Sequence, residues 1–430
     1  MGIDADQRHS DRILGADGIR AMAALGVIFS HLYQRLSMPD QAGWYQTVQA
    51  LFMKGAFGVS TFFVLSGMLL SYPYWKAYLA GEPMPRIGHF VRRRAARIVP
   101  AYYVSLLVSF ALTFAIAPDA GYKVWRLIAG LTFTSDFHYI TFFPSEINGP
   151  LWSISFEVFS YVLLALMMAA LFRWVGRKVA ARGDKAAGAP RKGSPLRGLA
   201  YWVVVFVAVN VLNGILVATV KLSDEGKGWQ FGDIGGAKEW MPGYNPLGFF
   251  GHFLLGILAA LAIAWWRSRQ LAARGEGGEA AASMTRWWWD AVAAAGFVAS
   301  GALIWSVRNP PEPSNLTGFQ YQPYLFPLFA LAVAITLVGL AHSRLLGRIV
   351  DNPFARYTAT VSFGLYVWHY LVLYLFSYIT DGRFEYYGIQ SWPQHLAISG
   401  AVLAVSYVIA TFSWRWLEQP VLRSRWASRR

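Results

Sequence analysis

Arg20 and His31 stand eleven positions apart in the first apolar stretch of the chain, and at 100° per residue this returns them to within about 20° of one helix face. An ionisable group inside a membrane is costly to keep there and marks function by default. Ala21, Ala23, Ala24, Gly26 and Val27 lie between them, so the helix is narrow enough to pack closely and His31 is expected to face protein. An imidazole there can serve as a general base or as a nucleophile; a single structural hydrogen bond is the plainer alternative. Glu157 lies roughly 10 Å into a segment that opens at Asn148-Gly149-Pro150 and is expected to run inward. His31, on a segment running outward, lies roughly 20 Å up a core about 30 Å thick. The two depths coincide, so Glu157 is expected to lie beside His31, orient its tautomer and raise its basicity. A buried ion pair, or a hydrogen bond from Glu157 to backbone, is the alternative.

Arg92, Arg93, Arg94 and Arg97 gather at the start of the third apolar segment. The pairs Arg93/Arg97 and Arg94/Arg97 have the i,i+4 and i,i+3 spacings that a helix brings to one side. Guanidinium forks bind phosphate oxygens two at a time, so the cluster suits a polyphosphate; basic residues at an inner membrane boundary are also ordinary. His369, in Ser362-Phe363-Gly364-Leu365-Tyr366-Val367-Trp368-His369-Tyr370, lies about ten residues into a later segment and is placed to line the same cavity. Beside His31 and His369 no third ligand has metal-site spacing, so no metal centre is expected.

Membrane helices must hold these groups. The 430 residues are 56% hydrophobic and only 14% charged, far below the charge of soluble domains. Apolar runs long enough to cross about 30 Å of hydrocarbon recur near 18–36, 50–72, 98–117, 150–172, 199–220, 246–266, 287–307, 323–341, 359–379 and 395–414. The expected fold is therefore an all-α integral membrane protein, a single domain over 1–430 built as a bundle of about ten transmembrane helices. The first run has no small-residue cleavage site and is expected to remain as the first helix. With the N-terminus inside, inside segments hold 29 of the 38 Lys and Arg, so both termini are expected to be cytoplasmic. The charge of +15 then reports orientation and anionic-lipid contact, and no nucleic-acid partner is expected. The chain has no cysteine, which excludes disulfides and thiolate chemistry. Loops 174–198 and 268–285 are expected to be flexible and cytoplasmic, and 118–149, 221–245 and 308–322 external.

In this order the pieces resemble the acyltransferase type 3 family of integral membrane O-acyltransferases. Asp17-Gly18-Ile19-Arg20 with His31 is similar to the family's arginine, ten residues, histidine motif. Gly58-Val59-Ser60-Thr61-Phe62-Phe63-Val64-Leu65-Ser66-Gly67 is similar to its second-helix signature, and Arg94-Ala95-Ala96-Arg97 to its arginine pair. Trp152-Ser153-Ile154-Ser155-Phe156-Glu157 resembles its glutamate segment, and Ser362 to His369 and Ser413-Trp414-Arg415-Trp416-Leu417-Glu418-Gln419-Pro420 resemble later landmarks. Many relatives carry Asp where Ser60 stands and a second Glu where Val158 stands, so roles of those acids do not carry over.

The resemblance implies an enzyme that takes an acyl group, usually acetyl from acetyl-CoA on the cytoplasmic side, and places it on a hydroxyl of a glycan or related acceptor. Arg20, Arg93, Arg94 and Arg97 would hold the CoA phosphates, and His31 with Glu157 would carry the transfer. Trp152, Ser155, Tyr366 and His369 would line the acceptor side. His31 can act directly on the acceptor or through an acyl-histidine. The expected partners are acyl-CoA, a glycan, lipid-linked saccharide or small-molecule hydroxyl acceptor, and the lipids of a bacterial inner membrane. A multi-pass transporter or flippase is the alternative from another class, because polar groups inside a bundle also mark transport paths.

Overall fold

In a computed structural model every one of the ten apolar runs is helical, and the chain is described over residues 12–36, 44–180, 193–222, 243–275, 286–308, 323–382 and 388–428. The helices are α1 (Ala16–Tyr33), α2 (Trp44–Met53), α3 (Gly58–Ala80), α4 (Ile87–Ile116), α5 (Lys123–Leu131), α6 (Trp152–Ala180), α7 (Pro195–Leu222), α8 (Pro246–Gly275), α9 (Arg286–Ser306), α10 (Leu328–His342), α11 (Leu346–Val350), α12 (Pro353–Asp381), α13 (Trp392–Ser413), α14 (Gln419–Arg423) and α15 (Arg425–Ser428). A π-helical turn, Trp414–Glu418, joins α13 to α14. Among the described residues there is no strand, only an isolated bridge between Leu36 and Ile389.

Among the described residues, eight helices are long and apolar enough to cross a membrane. Against the ten expected, α1 and α10 fall outside that set: α10 has only 15 residues, and α1 spends part of its 18 residues on Asp17, Arg20 and His31. Helix continues into the segments expected as cytoplasmic loops: α6 runs to Ala180, α7 begins at Pro195 and α8 runs to Gly275. The remainders, 181–192 and 276–285, lie outside the described residues, as do 223–242 and 309–322 of the expected external loops.

α8 and α12 form the centre, with 83% and 72% of their apolar windows buried, whereas α7, α9 and α13 at 22%, 11% and 22% form the rim. Close crossing of α3 and α8 depends on two glycines. A Cβ on Gly67 would sit 2.1 Å from the Phe253 carbonyl oxygen, and one on Gly256 would sit 2.0 Å from that of Val64. Without side chains there, the two backbones touch, the means by which membrane helices gain packing contact.

Two features set the depth of the functional groups. First, the Asp351 carboxylate accepts hydrogen bonds from the backbone N–H groups of Gly15 and Gly18 at 2.9 and 2.8 Å. These are orphan donors at a helix start, and a carboxylate also suits the positive end of the helix dipole. α1 is thereby pinned beside the start of α12, against which it packs closely. Second, the segment before α6 enters the bundle. Asn148 is fully buried, and its amide donates to the Val367 carbonyl at 2.9 Å and to Ser105 and Ser109 hydroxyls at 3.2 and 3.3 Å. Ser105 precedes the end of α4 at Ile116 by eleven residues, or roughly 16 Å. Irregular backbone at such a depth is tolerated because protein groups satisfy it. α6 therefore starts well inside the bundle.

Candidate functional site

α1, α3, α4, α6 and α12 surround a cleft with about 760 Å³ of empty space, counting its opening to solvent. One end is lined by Arg20, Arg94, Arg97 and Glu157, and the other reaches Ser153 and Tyr366. Arg20 comes from the first turns of α1, Arg94 and Arg97 from one face of α4, and Glu157 from the second turn of α6.

The three guanidiniums are not equivalent. Arg97 pairs with the buried Glu418 carboxylate at 2.7 Å, donates to the Thr360 carbonyl at 3.2 Å, and lies 4.8 Å from the Trp414 ring centre. The terminal segment therefore holds Arg97 in place. Among the described residues Arg20 and Arg94 make no hydrogen bond or ion pair. Each faces the cavity with its fork unoccupied, as an anion-binding guanidinium must. Arg93 is exposed and does not line the cavity.

Glu157 accepts a hydrogen bond from Ser66 at 3.0 Å and another from Tyr161. It stands among the arginines, away from His31. The neighbour of His31 is His369: Nδ1 of His31 lies 2.9 Å from Nε2 of His369, with the rings stacked at 5.1 Å and Tyr370 edge-on to His31 at 5.0 Å.

Hydrogen-bond logic fixes the protons. His369 Nδ1 lies 3.0 Å from the Leu365 carbonyl oxygen and 2.9 Å from that of Tyr366. Carbonyl oxygens only accept, so Nδ1 carries the proton and Nε2 of the neutral ring accepts. His31 Nδ1 must then donate to it, which leaves the lone pair of His31 on Nε2. The pair presents one defined base atom.

Tyr366 connects the two parts of the site. Its side chain lines the cavity and donates to the Pro150 carbonyl at 3.0 Å, with Ser153 at 2.6 Å, while its backbone carbonyl receives the His369 proton. The histidine pair sits one helical turn beyond the cavity's far end, and His31 itself is not in the cavity wall. Trp152 and Ser155 do not line the cavity. Trp152 packs against Phe142, Phe156 and Phe249, and the Ser155 hydroxyl lies 2.6 Å from that of Ser135. Ser60 is buried 2.7 Å from Nδ1 of His252 and away from the cavity.

Comparison with known proteins identifies the architecture. The family described as "Acyltransferase domain", the type 3 acyltransferases, matches residues 13–411. The chain belongs to the acyltransferase type 3 family. A Staphylococcus aureus (strain COL) protein named "Putative O-acetyltransferase" is 22% identical over 95% of this chain and 57% of its own length. The "O-acetyltransferase OatA" of S. aureus (strain NCTC 8325 / PS 47) is 30% identical over 39% of this chain and 26% of its own. The chain thus spans about half the length of the first of these relatives. No solved structure matches the chain.

Within this chain, sequence reasoning passed over Tyr161, and treated Ser66, Ser153 and Glu418 only as parts of family landmarks. Tyr161 was accessible from spacing, being one helical turn after Glu157. The Arg97–Glu418 pair carries an expectation of its own. Removing one partner of a buried ion pair typically costs about 3–5 kcal/mol because the other charge is stranded. Arg97→Ala is therefore expected to lower the melting temperature of the detergent-solubilised protein in the absence of any ligand, while Arg94→Ala leaves it near wild type. Equal melting temperatures for the two variants would show that the pair does not stabilise the fold.

Proposed function

We propose that the protein is a membrane O-acyltransferase that moves an acyl group, acetyl in the first instance, from cytoplasmic acyl-CoA to a hydroxyl of a cell-envelope or exported glycan in a bacterial inner membrane. The observation that carries this reading is the cavity itself: two unpaired guanidiniums at one end, and a histidine with a defined free Nε2 just past the other. Arg20 and Arg94 bind the CoA phosphates, and the pantetheine arm carries the thioester toward Tyr366. Arg20 and His31 are eleven residues apart on one helix, or roughly 16 Å, a span that an extended arm covers.

In the transfer, His31 Nε2 takes the proton of the acceptor hydroxyl as its oxygen attacks the thioester carbonyl. The carbon–sulfur bond then breaks, and the leaving thiolate of CoA recovers the proton from His31. His369 stays neutral and keeps the His31 proton on Nδ1. Glu157 holds Tyr161 and Ser66 against the donor and offsets part of the arginine charge.

Mass spectrometry of envelope glycans from cells with and without the gene tests this function. The expected result is loss of one acyl mass from one sugar in the deletion, restored by the wild-type gene and not by His31→Gln. Unchanged glycan masses, or restoration by His31→Gln, would overturn it.

A further inference from the structure

The cavity has a side facing the membrane. The backbones of α4 and α6, which supply Arg94 and Glu157, stand apart, and Phe90 of α4 reaches across edge-on to Tyr161 of α6 at 6.1 Å. Between them runs a groove of about 820 Å³, including its opening, walled by Val91, Ala95 and Val99 on α4 and by Val162, Ala165 and Leu166 on α6. Val91, Val162 and Leu166 are 52%, 54% and 57% exposed, so the groove presents an open apolar surface. On α4 the groove extends from Ile87 to Val99, roughly 18 Å. Phe133, stacked on Tyr102 at 5.3 Å and on Tyr103 at 5.7 Å, borders it.

Arg94 and Tyr161 line both this groove and the cavity. An apolar groove alone would only collect lipid tails. Here an arginine without a protein partner sits in its wall, and a guanidinium beside hydrocarbon requires an anion. Basic pockets between membrane helices recognise phosphate head groups for this reason. We infer that the groove between α4 and α6 is a binding site for a phosphate-headed membrane lipid, with its phosphate on Arg94 and one hydrocarbon chain lying between the helices. The five N–H donors of Arg94 allow it to hold an oxygen from the groove side and another from the cavity side, so lipid and acyl donor meet at one residue. The cavity is thereby open to the bilayer through its wall.

The test uses the purified full chain, dioleoyl phosphatidate and dioleoylglycerol, two lipids that differ in the phosphate, with native mass spectrometry as the readout. The wild type is expected to retain one phosphatidate with at least a tenfold preference over the diacylglycerol. Ala165→Trp, which fills the groove and keeps Arg94 in the chain, is expected to lose that retention, as is Val162→Trp, which serves if the first variant does not fold. Arg94→Gln is expected to retain the two lipids equally. Absence of a preference in the wild type, or phosphatidate retention unaltered by a folded groove-filling variant as for ordinary annular lipid, overturns the site. The readout requires no acyl transfer, so it stands or falls apart from the proposed activity.

Discussion

Replacing His31 with glutamine is expected to lower acyl transfer by about 10²–10⁴-fold, the range for loss of a positioned general base, with CoA affinity and melting temperature near wild type. The argument rests on proton positions. Two carbonyls at the end of the relay, from Leu365 and Tyr366, dictate the His369 tautomer; His369 in turn dictates that of His31. A glutamine amide preserves a donor toward His369 but has no lone pair able to take a proton. His369→Ala separates positioning from chemistry. It leaves the His31 ring and removes only the partner that selects its tautomer, so its loss is expected to be smaller and to fall on kcat with KM little changed. Initial rates with labelled acyl-CoA decide the matter. A His31→Gln protein that binds CoA and transfers at the wild-type rate would place the base elsewhere.

The stripe joining Arg20 to His31 was legible in the sequence because it lies within one helix and needs only the helical repeat. The arginine pair on α4 was legible for the same reason. The partnership of His31 was not. Counting residues from the apparent start of an apolar run placed Glu157 at the depth of His31, on the premise that the run starts at the membrane surface. Asn148, hydrogen-bonded to Val367 in the middle of α12, shows that the run starts inside the bundle. Glu157, nine residues later or roughly 13 Å further on, arrives among the arginines instead. The histidines that do meet are 338 residues apart, a separation on which no local pattern acts. The Arg97–Glu418 pair bridges the chain in the same way, and only the fold reveals that Arg97 is already committed to a carboxylate. The count of spans differs for another reason: the sequence reading includes α1 among ten apolar runs, whereas Asp17, Arg20 and His31 keep that helix out of the eight that are long and apolar enough to cross.

Arg20→Ala combined with Arg94→Ala is expected to weaken CoA binding by at least about 100-fold. A hydrogen bond to a charged group contributes about 1.5–3 kcal/mol, and each 1.4 kcal/mol is about tenfold in affinity, so either single variant should lose roughly tenfold or more. The two share one pocket, and their effects need not add. Charge alone is not the whole of it: Arg94→Lys keeps the cation and loses the two-pronged fork, and is expected to fall between wild type and Arg94→Ala. Arg93→Ala is the control, one residue from Arg94 but exposed and off the cavity. Its effect should be slight and should fade further with added salt, since exposed charges are screened over about 10 Å at 0.1 M ionic strength while part-buried ones are screened much less. Isothermal titration of CoA into each solubilised variant at two salt concentrations makes the comparison. If Arg93→Ala cost as much as Arg94→Ala, the phosphates would lie on the outer surface of the bundle and not on the guanidiniums that face the cavity.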